Sequence, residues 1–265
     1  MVTKYEYNEQ NQLIKETVEG LGSKTYNYQD GQLVAYTDFN GNKTDVCYDN
    51  YGNISATKDA LGQETTYEYD ILGRRTKVVE PTGLITSYTY DNCGNVLTET
   101  VTDQKANGKT LTTTYNYDLM GRMISAKDAQ GAETTYEYDG DGNLLKVSYP
   151  DGTTEEYTYD AVGNQTRYKD ATGVVTTYKY DGCNRLVAET TNGNTTTYSY
   201  YGNGKIQKET YPDGQTMEYV YDNNWNVVQT TKNGTYSSSY KTDLAGNVSQ
   251  IKDPMGYKKS YEYDK

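Results

Sequence analysis

Aspartates at one position of a repeating pattern are the side chains in this sequence best suited to acid–base chemistry. Nine of them directly follow a tyrosine: Asp49, Asp70, Asp91, Asp118, Asp139, Asp160, Asp181, Asp222 and Asp264. Two such carboxylates could serve as a general acid and a general base. An aspartate that opens a turn instead accepts hydrogen bonds from the backbone amides that follow it. Because these aspartates recur so regularly, we predict a turn role for all of them, no catalytic residue and no enzymatic activity.

The segment Asp139-Gly-Asp141-Gly-Asn143 carries oxygen-bearing side chains at alternate positions, as the start of a calcium-binding loop does. An EF-hand loop also needs glycine at its sixth position and glutamate at its twelfth, where this chain has Leu144 and Pro150. We therefore predict an ordinary turn here and no metal site.

Histidine is absent from the sequence, which removes the commonest general base and the commonest transition-metal ligand. The three cysteines, Cys47, Cys93 and Cys183, lie too far apart in sequence for a CxxC metal pair and are too few for a disulfide framework. We predict free thiols, no metal site and no cofactor.

Tyrosine dominates the aromatic residues, with 32 copies against one Phe and one Trp. Exposed rings of this amphipathic kind recur at binding surfaces, and rows of them could stack on sugars. Several tyrosines fall outside the repeated tyrosine motif described next. From these and the single tryptophan we select Tyr149, Tyr168, Tyr211 and Trp225 as candidate ligand-binding residues. Packing between turns is the alternative role for each ring.

The motif Tyr-x-Tyr recurs thirteen times, and we call its first residue the leading tyrosine and its second the anchor. Anchors stand at positions 7, 28, 48, 69, 90, 117, 138, 159, 180, 200, 221, 242 and 263. Nine of the twelve intervals are 21 residues, two are 20 and one is 27. Tyrosine fills 24 of the 26 motif slots, with Val46 and Thr242 as the exceptions. This spacing indicates a tandem repeat.

Each repeat contains two turn signals, a glycine four residues after most anchors and a second turn where all four prolines lie, twelve residues after an anchor. The two remaining segments are about five to seven residues long, which suits strands and not helices. Each repeat is therefore predicted to be a β-hairpin. The 27-residue interval should form a longer hairpin that turns at Asn107-Gly108.

The residue six positions after the anchor is apolar in ten of twelve repeats, and Arg75 and Gln165 are the exceptions. The ten are Leu13, Val34, Ile54, Val96, Met123, Leu144, Leu186, Ile206, Val227 and Val248. We predict that this residue pairs with the anchor across the first turn and that both lie on one buried face.

A single hairpin buries too little apolar surface to fold alone, so neighbouring hairpins must pair edge to edge. The predicted fold class is all-β, with hairpin repeats forming one long antiparallel sheet. A sheet of so many strands must curl or spiral because strands twist. We expect one array over residues 1–265, cut from a larger protein.

Three segments carry a family resemblance: Tyr69-Asp70-Ile-Leu-Gly73-Arg74, Tyr117-Asp118-Leu-Met-Gly121-Arg122 and Tyr159-Asp160-Ala-Val-Gly163-Asn164. They resemble the YD repeats of RHS (rearrangement hotspot) proteins, which include bacterial polymorphic toxins, wall-associated proteins and teneurins. The resemblance implies a shell-like β-sheet with a structural role. In the toxin members the shell encloses a C-terminal effector, and in others the repeats are linked to cell-surface contact and carbohydrate binding.

The toxin members end their repeats in a core region, and the segment at 253–256 resembles a fragment of it. That segment occupies the ordinary second-turn position, so we interpret it as a turn.

Three functions remain open. The first is a structural scaffold of an extracellular or cell-surface protein, the second a carbohydrate-binding module, and the third part of the wall of a toxin-enclosing shell. The net charge of −12 argues against nucleic acid and anionic membranes as partners, and no apolar run is long enough to span a membrane. The expected partners are glycans or cell-surface proteins, with edge-to-edge association through the terminal strands as a further possibility.

Overall fold

The computed structural model describes residues 2–243 and 245–263. Within those ranges the chain forms twenty-five β-strands and no helix, as the repeat pattern predicts. Contacts divide it into two compact units, and the boundary in the sequence falls between Thr135 and Tyr136.

The first unit contains β1 Thr3–Tyr7, β2 Leu13–Val18, β3 Gly22–Gln29, β4 Gln32–Thr37, β5 Lys43–Tyr48, β6 Ile54–Lys58, β7 Glu64–Tyr69, β8 Arg75–Val79, β9 Leu84–Tyr90, β10 Val96–Asp103, β11 Lys109–Tyr117 and β12 Met123–Lys127. The boundary strand is β13 Glu133–Tyr138. The second unit contains β14 Leu144–Ser148, β15 Thr154–Tyr159, β16 Gln165–Lys169, β17 Val175–Tyr180, β18 Leu186–Thr191, β19 Asn194–Tyr200, β20 Ile206–Thr210, β21 Thr216–Tyr221, β22 Val227–Lys232, β23 Tyr236–Thr242, β24 Val248–Lys252 and β25 Lys258–Ser260.

Odd-numbered strands lead into or carry the tyrosine motif, and we call them tyrosine strands; the even-numbered ones are partner strands. Within each unit, strands adjacent in sequence pair antiparallel. Each repeat is thus one hairpin, made of a tyrosine strand, a first turn and a partner strand. A second turn leads to the next repeat.

The predicted register across the first turn is confirmed at many hairpins. The anchor lies opposite the residue six positions later in the pairs Tyr90 with Val96 and Tyr180 with Leu186. The register shifts by one residue just before the anchor, so each of these hairpins carries a β-bulge there.

The prediction is wrong at one hairpin, where Tyr28 lies opposite Leu33 and not Val34. This hairpin has a tight two-residue turn at Asp30-Gly31, whose φ angles of 49° and 83° are both positive. The other first turns hold more residues between the strands, so the shorter turn moves the pairing by one position.

The first turns close through two backbone hydrogen bonds. In the turn that begins at Asp70, its amide donates to the carbonyl of Arg74 at 2.9 Å, and the Gly73 amide donates to the carbonyl of Asp70 at 3.0 Å. Gly73 has a φ of 75°, a conformation that glycine adopts without steric strain. Trp225 takes the equivalent place in its own turn with a φ of 64°.

Burial is shallower than predicted. Among the described residues the buried hydrophobic side chains are Val18, Ala35, Val46 and Val147, each still 5–8% exposed, whereas the anchors are mostly half-buried. Among the described residues of each unit, strands contact only their neighbours in sequence, so no second layer of described strands covers the tyrosine face. The prediction of a buried face is therefore wrong in degree, because rings of one layer shield one another only in part.

Neighbouring hairpins share a short ladder that stops before the first turns. Between β4 and β5 the paired residues are Ala35 to Thr37 with Lys43 to Asp45. Leu33 lies beyond this ladder, and the hydroxyl of Tyr48 donates to its carbonyl oxygen at 2.9 Å. The anchor side chain thus supplies a link between hairpins at the end where the backbone ladder has stopped.

The same bond recurs along both units. The anchor hydroxyl donates to the backbone carbonyl of a residue at or next to the start of the preceding partner strand, over 2.6 to 3.0 Å. The pairs are Tyr48 with Leu33, Tyr90 with Arg75, Tyr117 with Val96, Tyr159 with Leu144, Tyr180 with Gln165, Tyr200 with Leu186, Tyr221 with Ile206 and Tyr263 with Val248.

Arginines add a second link between hairpins at some first turns. The Nε of Arg74 donates to Asp70 of its own turn at 2.7 Å, while its Nη1 donates to the carbonyl of Asp91 in the next turn at 2.7 Å. Its guanidinium also lies 4.7 Å from the centroid of the Tyr90 ring, a cation–π contact.

The 27-residue interval forms the predicted longer hairpin around its second turn, between a partner strand and the next tyrosine strand. Strands β10 and β11 have eight and nine residues, and they pair from Thr98 with Thr114 to Asp103 with Lys109. Asn107 and Gly108 in the connecting turn both have positive φ.

A phenylalanine at an anchor should weaken the array by the loss of one hydrogen bond. We expect Tyr48→Phe to lower the free energy of unfolding by about 1 kcal/mol, because the Leu33 carbonyl loses its donor while the ring is kept. Urea unfolding followed by circular dichroism measures this change. Tyr26→Phe is the matched control, since the hydroxyl of this half-buried leading tyrosine makes no such bond to any described residue. Equal effects of the two substitutions would contradict the assigned role.

Candidate functional site

The aspartates that open the first turns are bound to their own turns. In one such turn the Oδ1 atom of Asp70 accepts hydrogen bonds from the amides of Leu72 at 2.9 Å and Arg74 at 3.0 Å. These bonds and the Arg74 side chain hold the pKa of Asp70 below its ordinary value against an opposing effect of desolvation. The predicted turn role is confirmed here, and the carboxylate is ionised and engaged.

The calcium-like segment has the same geometry. Asp139 accepts from the amides of Asp141 at 3.0 Å and Asn143 at 2.8 Å, and its second oxygen accepts from the Asn143 side chain at 2.9 Å. Its oxygens therefore serve the turn, as predicted.

Other potential metal or nucleophilic groups are dispersed. Cys47, Cys93 and Cys183 are exposed and unpaired. Across residues 2–243 and 245–263, no three cysteine, aspartate or glutamate side chains come together as a metal site requires. None of the described segments forms a helix long and apolar enough to cross a membrane.

Two of the candidate aromatic residues lie around one carboxylate. Tyr149 opens the second turn after β14, and Tyr168 lies on β16 directly opposite Tyr157 of β15. The Tyr157 hydroxyl donates to Glu155 at 2.6 Å. Burial and the nearby Glu155 carboxylate raise the pKa of both Tyr149 and Tyr168. We call these four residues the Glu155 cluster; its three phenols stay protonated at neutral pH.

Tyr211 belongs to a separate group of the same kind. It opens the second turn before β21, and its hydroxyl donates to Glu209 at 2.5 Å. Glu209 lies opposite Tyr198 in the β19–β20 pair. The hydrogen bond to Glu209, together with burial, raises the pKa of Tyr211 to about 12.

Trp225 lies at the other end of β21, in a first turn. Its side chain is 50% exposed and borders a groove of about 330 Å³ that Tyr201 and Tyr221 also line. The rings of these two tyrosines meet edge to face, with centroids 6.0 Å apart. The four candidates therefore occupy three places: Tyr149 and Tyr168 lie together, while Tyr211 and Trp225 stand apart.

Sequence reasoning missed both Glu155 and Glu209, although a signal was present for Glu155. Glu155 lies two residues before a leading tyrosine, so strand alternation puts the two side chains on one face. The corresponding position is threonine in repeats such as those with Thr65 and Thr134. A glutamate in place of this threonine, on the same face as the tyrosines, was the sequence signal for the cluster.

Comparison with protein families agrees with this hairpin geometry. A family model described as Teneurin YD-shell matches residues 42–195, which is more than half of the chain. The chain belongs to the teneurin YD-shell family. The resemblance to RHS and YD-repeat proteins is thereby confirmed, and with it a structural repeat array. Comparison with curated protein sequences gives no match for this YD-shell chain.

Solved structures share the fold of this YD-shell chain. A crystal structure of TcdB2-TccC3 without its hypervariable C-terminal region matches 97% of the chain at a TM-score of 0.73 and 15% identity. A Photorhabdus luminescens Tc holotoxin pore matches 97% at a TM-score of 0.54 and 17% identity. The matches cover 16% and 18% of those chains, so this YD-shell chain spans about a sixth of their length.

The phenol of Tyr211 should lose its proton at a higher pH than an ordinary tyrosine does. A phenolate beside Glu209 is disfavoured only in the folded state, so the stability that this phenol contributes is complete below pH ~10, its ordinary pKa. That contribution is lost as the pH rises from there to about 12. NMR of the Tyr211 ring carbons follows the titration.

Glu209→Gln should lower the pKa of Tyr211. Glu218→Gln is the control, because Glu218 pairs with Lys208 at 3.0 Å and not with a phenol. A normal pKa of Tyr211 in the unsubstituted protein would contradict the assigned contact.

Proposed function

We propose that this chain is a non-enzymatic section of structural wall in an extracellular or cell-surface protein. The observation that carries the proposal is the engagement of its polar groups. Turn aspartates such as Asp70 accept hydrogen bonds from later amides of the same turn, and anchor hydroxyls donate to backbone carbonyls of the neighbouring hairpin. Membership of the YD-shell family supports the same role.

The similarity to TcdB2-TccC3 favours one version of this role, a stretch of wall in a toxin-enclosing shell. This version requires a parent protein with further YD repeats and an enclosed effector. The reading frame of the parent gene decides between a toxin shell and an adhesive surface protein.

The scaffold role predicts exposure outside the cell without turnover. In cells that express the tagged parent protein, a membrane-impermeant amine reagent should label the lysines of this chain, with a cytosolic protein as the negative control. The purified chain should show no turnover of glycoside, ester or peptide substrates above buffer. Labelling only after cell lysis would contradict the location, and turnover lost in Asp139→Ala would contradict the structural role.

Carbohydrate binding is the second candidate, and the Glu155 cluster is the observation that favours it. The rings of Tyr149 and Tyr168 offer stacking surfaces, and the Glu155 carboxylate can accept hydrogen bonds from sugar hydroxyls. Among the described residues no lysine or arginine forms an ion pair with Glu155. Trp225 and Tyr211 would then be separate, weaker contacts.

A glycan array with the purified chain tests this binding. Tyr168→Ala should weaken the strongest interaction by about tenfold, equivalent to roughly 1.4 kcal/mol. Tyr51→Ala is the control, because this 92% exposed ring lies outside the Glu155 cluster. Equal losses from the two substitutions, or no glycan bound at all, would remove this candidate.

A further inference from the structure

Two tyrosine rings of the Glu155 cluster lie in close contact. Tyr157 and Tyr168 are directly opposite in the β15–β16 ladder, and their ring centroids are 5.1 Å apart with planes inclined by 31°. The ladder holds both backbones, so the rings remain neighbours. Tyr201 and Tyr221 differ, because their rings are 6.0 Å apart and nearly perpendicular at 86°.

The same pair has a proton acceptor in place. The Tyr157 hydroxyl donates to the Glu155 carboxylate over 2.6 Å, the length of a charge-assisted hydrogen bond. A phenol that loses an electron becomes a strong acid, so an adjacent carboxylate lets the proton leave together with the electron. Arg167 and Lys169 pair with Glu156 instead, which leaves Glu155 facing the phenols.

We propose that Tyr157 and Tyr168 form a site of oxidative cross-linking, with a one-electron oxidant such as a haem peroxidase acting with hydrogen peroxide as the co-reactant. Each phenol loses one electron and one proton. The proton of Tyr157 passes to Glu155, and that of Tyr168 passes to Glu155 or water. The two phenoxyl radicals then join by a carbon–carbon bond between ring positions adjacent to the oxygens.

The product of this step keeps both hydroxyl groups. The hydrogens displaced from the two joined carbons move to the oxygens, so two phenols become one biphenol with a net release of two electrons and two protons. These reduce one hydrogen peroxide to two waters. The new bond joins β15 to β16 covalently, in addition to their backbone ladder.

Peptide mapping of the full chain tests the proposal after treatment with peroxidase and hydrogen peroxide. Trypsin cleaves after Arg167, so Tyr157 and Tyr168 fall in different peptides, 147–167 and 168–169. We expect one species that contains both peptides and lacks two hydrogens, formed at a rate independent of protein concentration. Tyr168→Phe should abolish this species, while Tyr221→Phe should leave it unchanged.

Glu155→Gln tests the proton acceptor separately, since glutamine keeps the size of the side chain but is a far weaker base. We expect coupling to slow by roughly tenfold or more, with circular dichroism unchanged. Coupling spread over exposed tyrosines such as Tyr51, or an unchanged rate in Glu155→Gln, would overturn the proposal.

Discussion

At many junctions between neighbouring hairpins, a tyrosine hydroxyl donates to a backbone carbonyl at the point where the shared ladder has ended. Between β4 and β5 only three residues of each strand pair, and Leu33 lies outside that ladder. A buried or half-buried carbonyl without a donor destabilises a fold. The Tyr48 hydroxyl supplies the donor while its ring covers the face of the sheet. Phenylalanine could provide only the ring, which accounts for tyrosine at the anchors that form this bond, such as Tyr48, Tyr159 and Tyr180.

Polar side chains at the first turns are likewise used in local structure. A first turn needs an acceptor for its amides. In turns that open with an aspartate, such as those of Asp70 and Asp139, the carboxylate of that aspartate is the acceptor. Arg74 then connects one turn to the next through Asp91. The turn aspartates and Arg74 are therefore engaged in local structure. Where one repeat departs from its neighbours, at Glu155, the carboxylate instead accepts a hydrogen bond from the Tyr157 hydroxyl.

Much of this fold could be predicted from the sequence because its period fixes the turns. Hairpins, strand lengths and the Tyr90 with Val96 register all follow from two turn signals in about 21 residues. The predicted register was wrong at Tyr28 because Asp30-Gly31 forms a shorter turn. The prediction of a buried face was wrong in degree because periodicity shows which residues share a face but not whether a second layer covers that face.

The sequence places Glu155 on the tyrosine face, but the contacts within the Glu155 cluster and the hydroxyl bonds could not be predicted, for a related reason. Alternation along a strand places Tyr157 and Glu155 on one face, but their contact depends on side-chain direction. The partner of an anchor hydroxyl lies about fifteen residues earlier, in a strand whose ladder ends at a point that no motif marks. A candidate site on Tyr149, Tyr168, Tyr211 and Trp225 could therefore be proposed but not located.

Hydroxyl-proton exchange measured by NMR on tyrosines labelled at the ring carbon that bears oxygen tests the central bond most directly. The half-buried anchors Tyr48, Tyr159 and Tyr180 should exchange their hydroxyl protons clearly more slowly than Tyr26, which makes no such bond, and than the 92% exposed Tyr51. If the anchors exchange as fast as Tyr26, the hydroxyl-to-carbonyl bonds do not hold the hairpins together and the account is wrong.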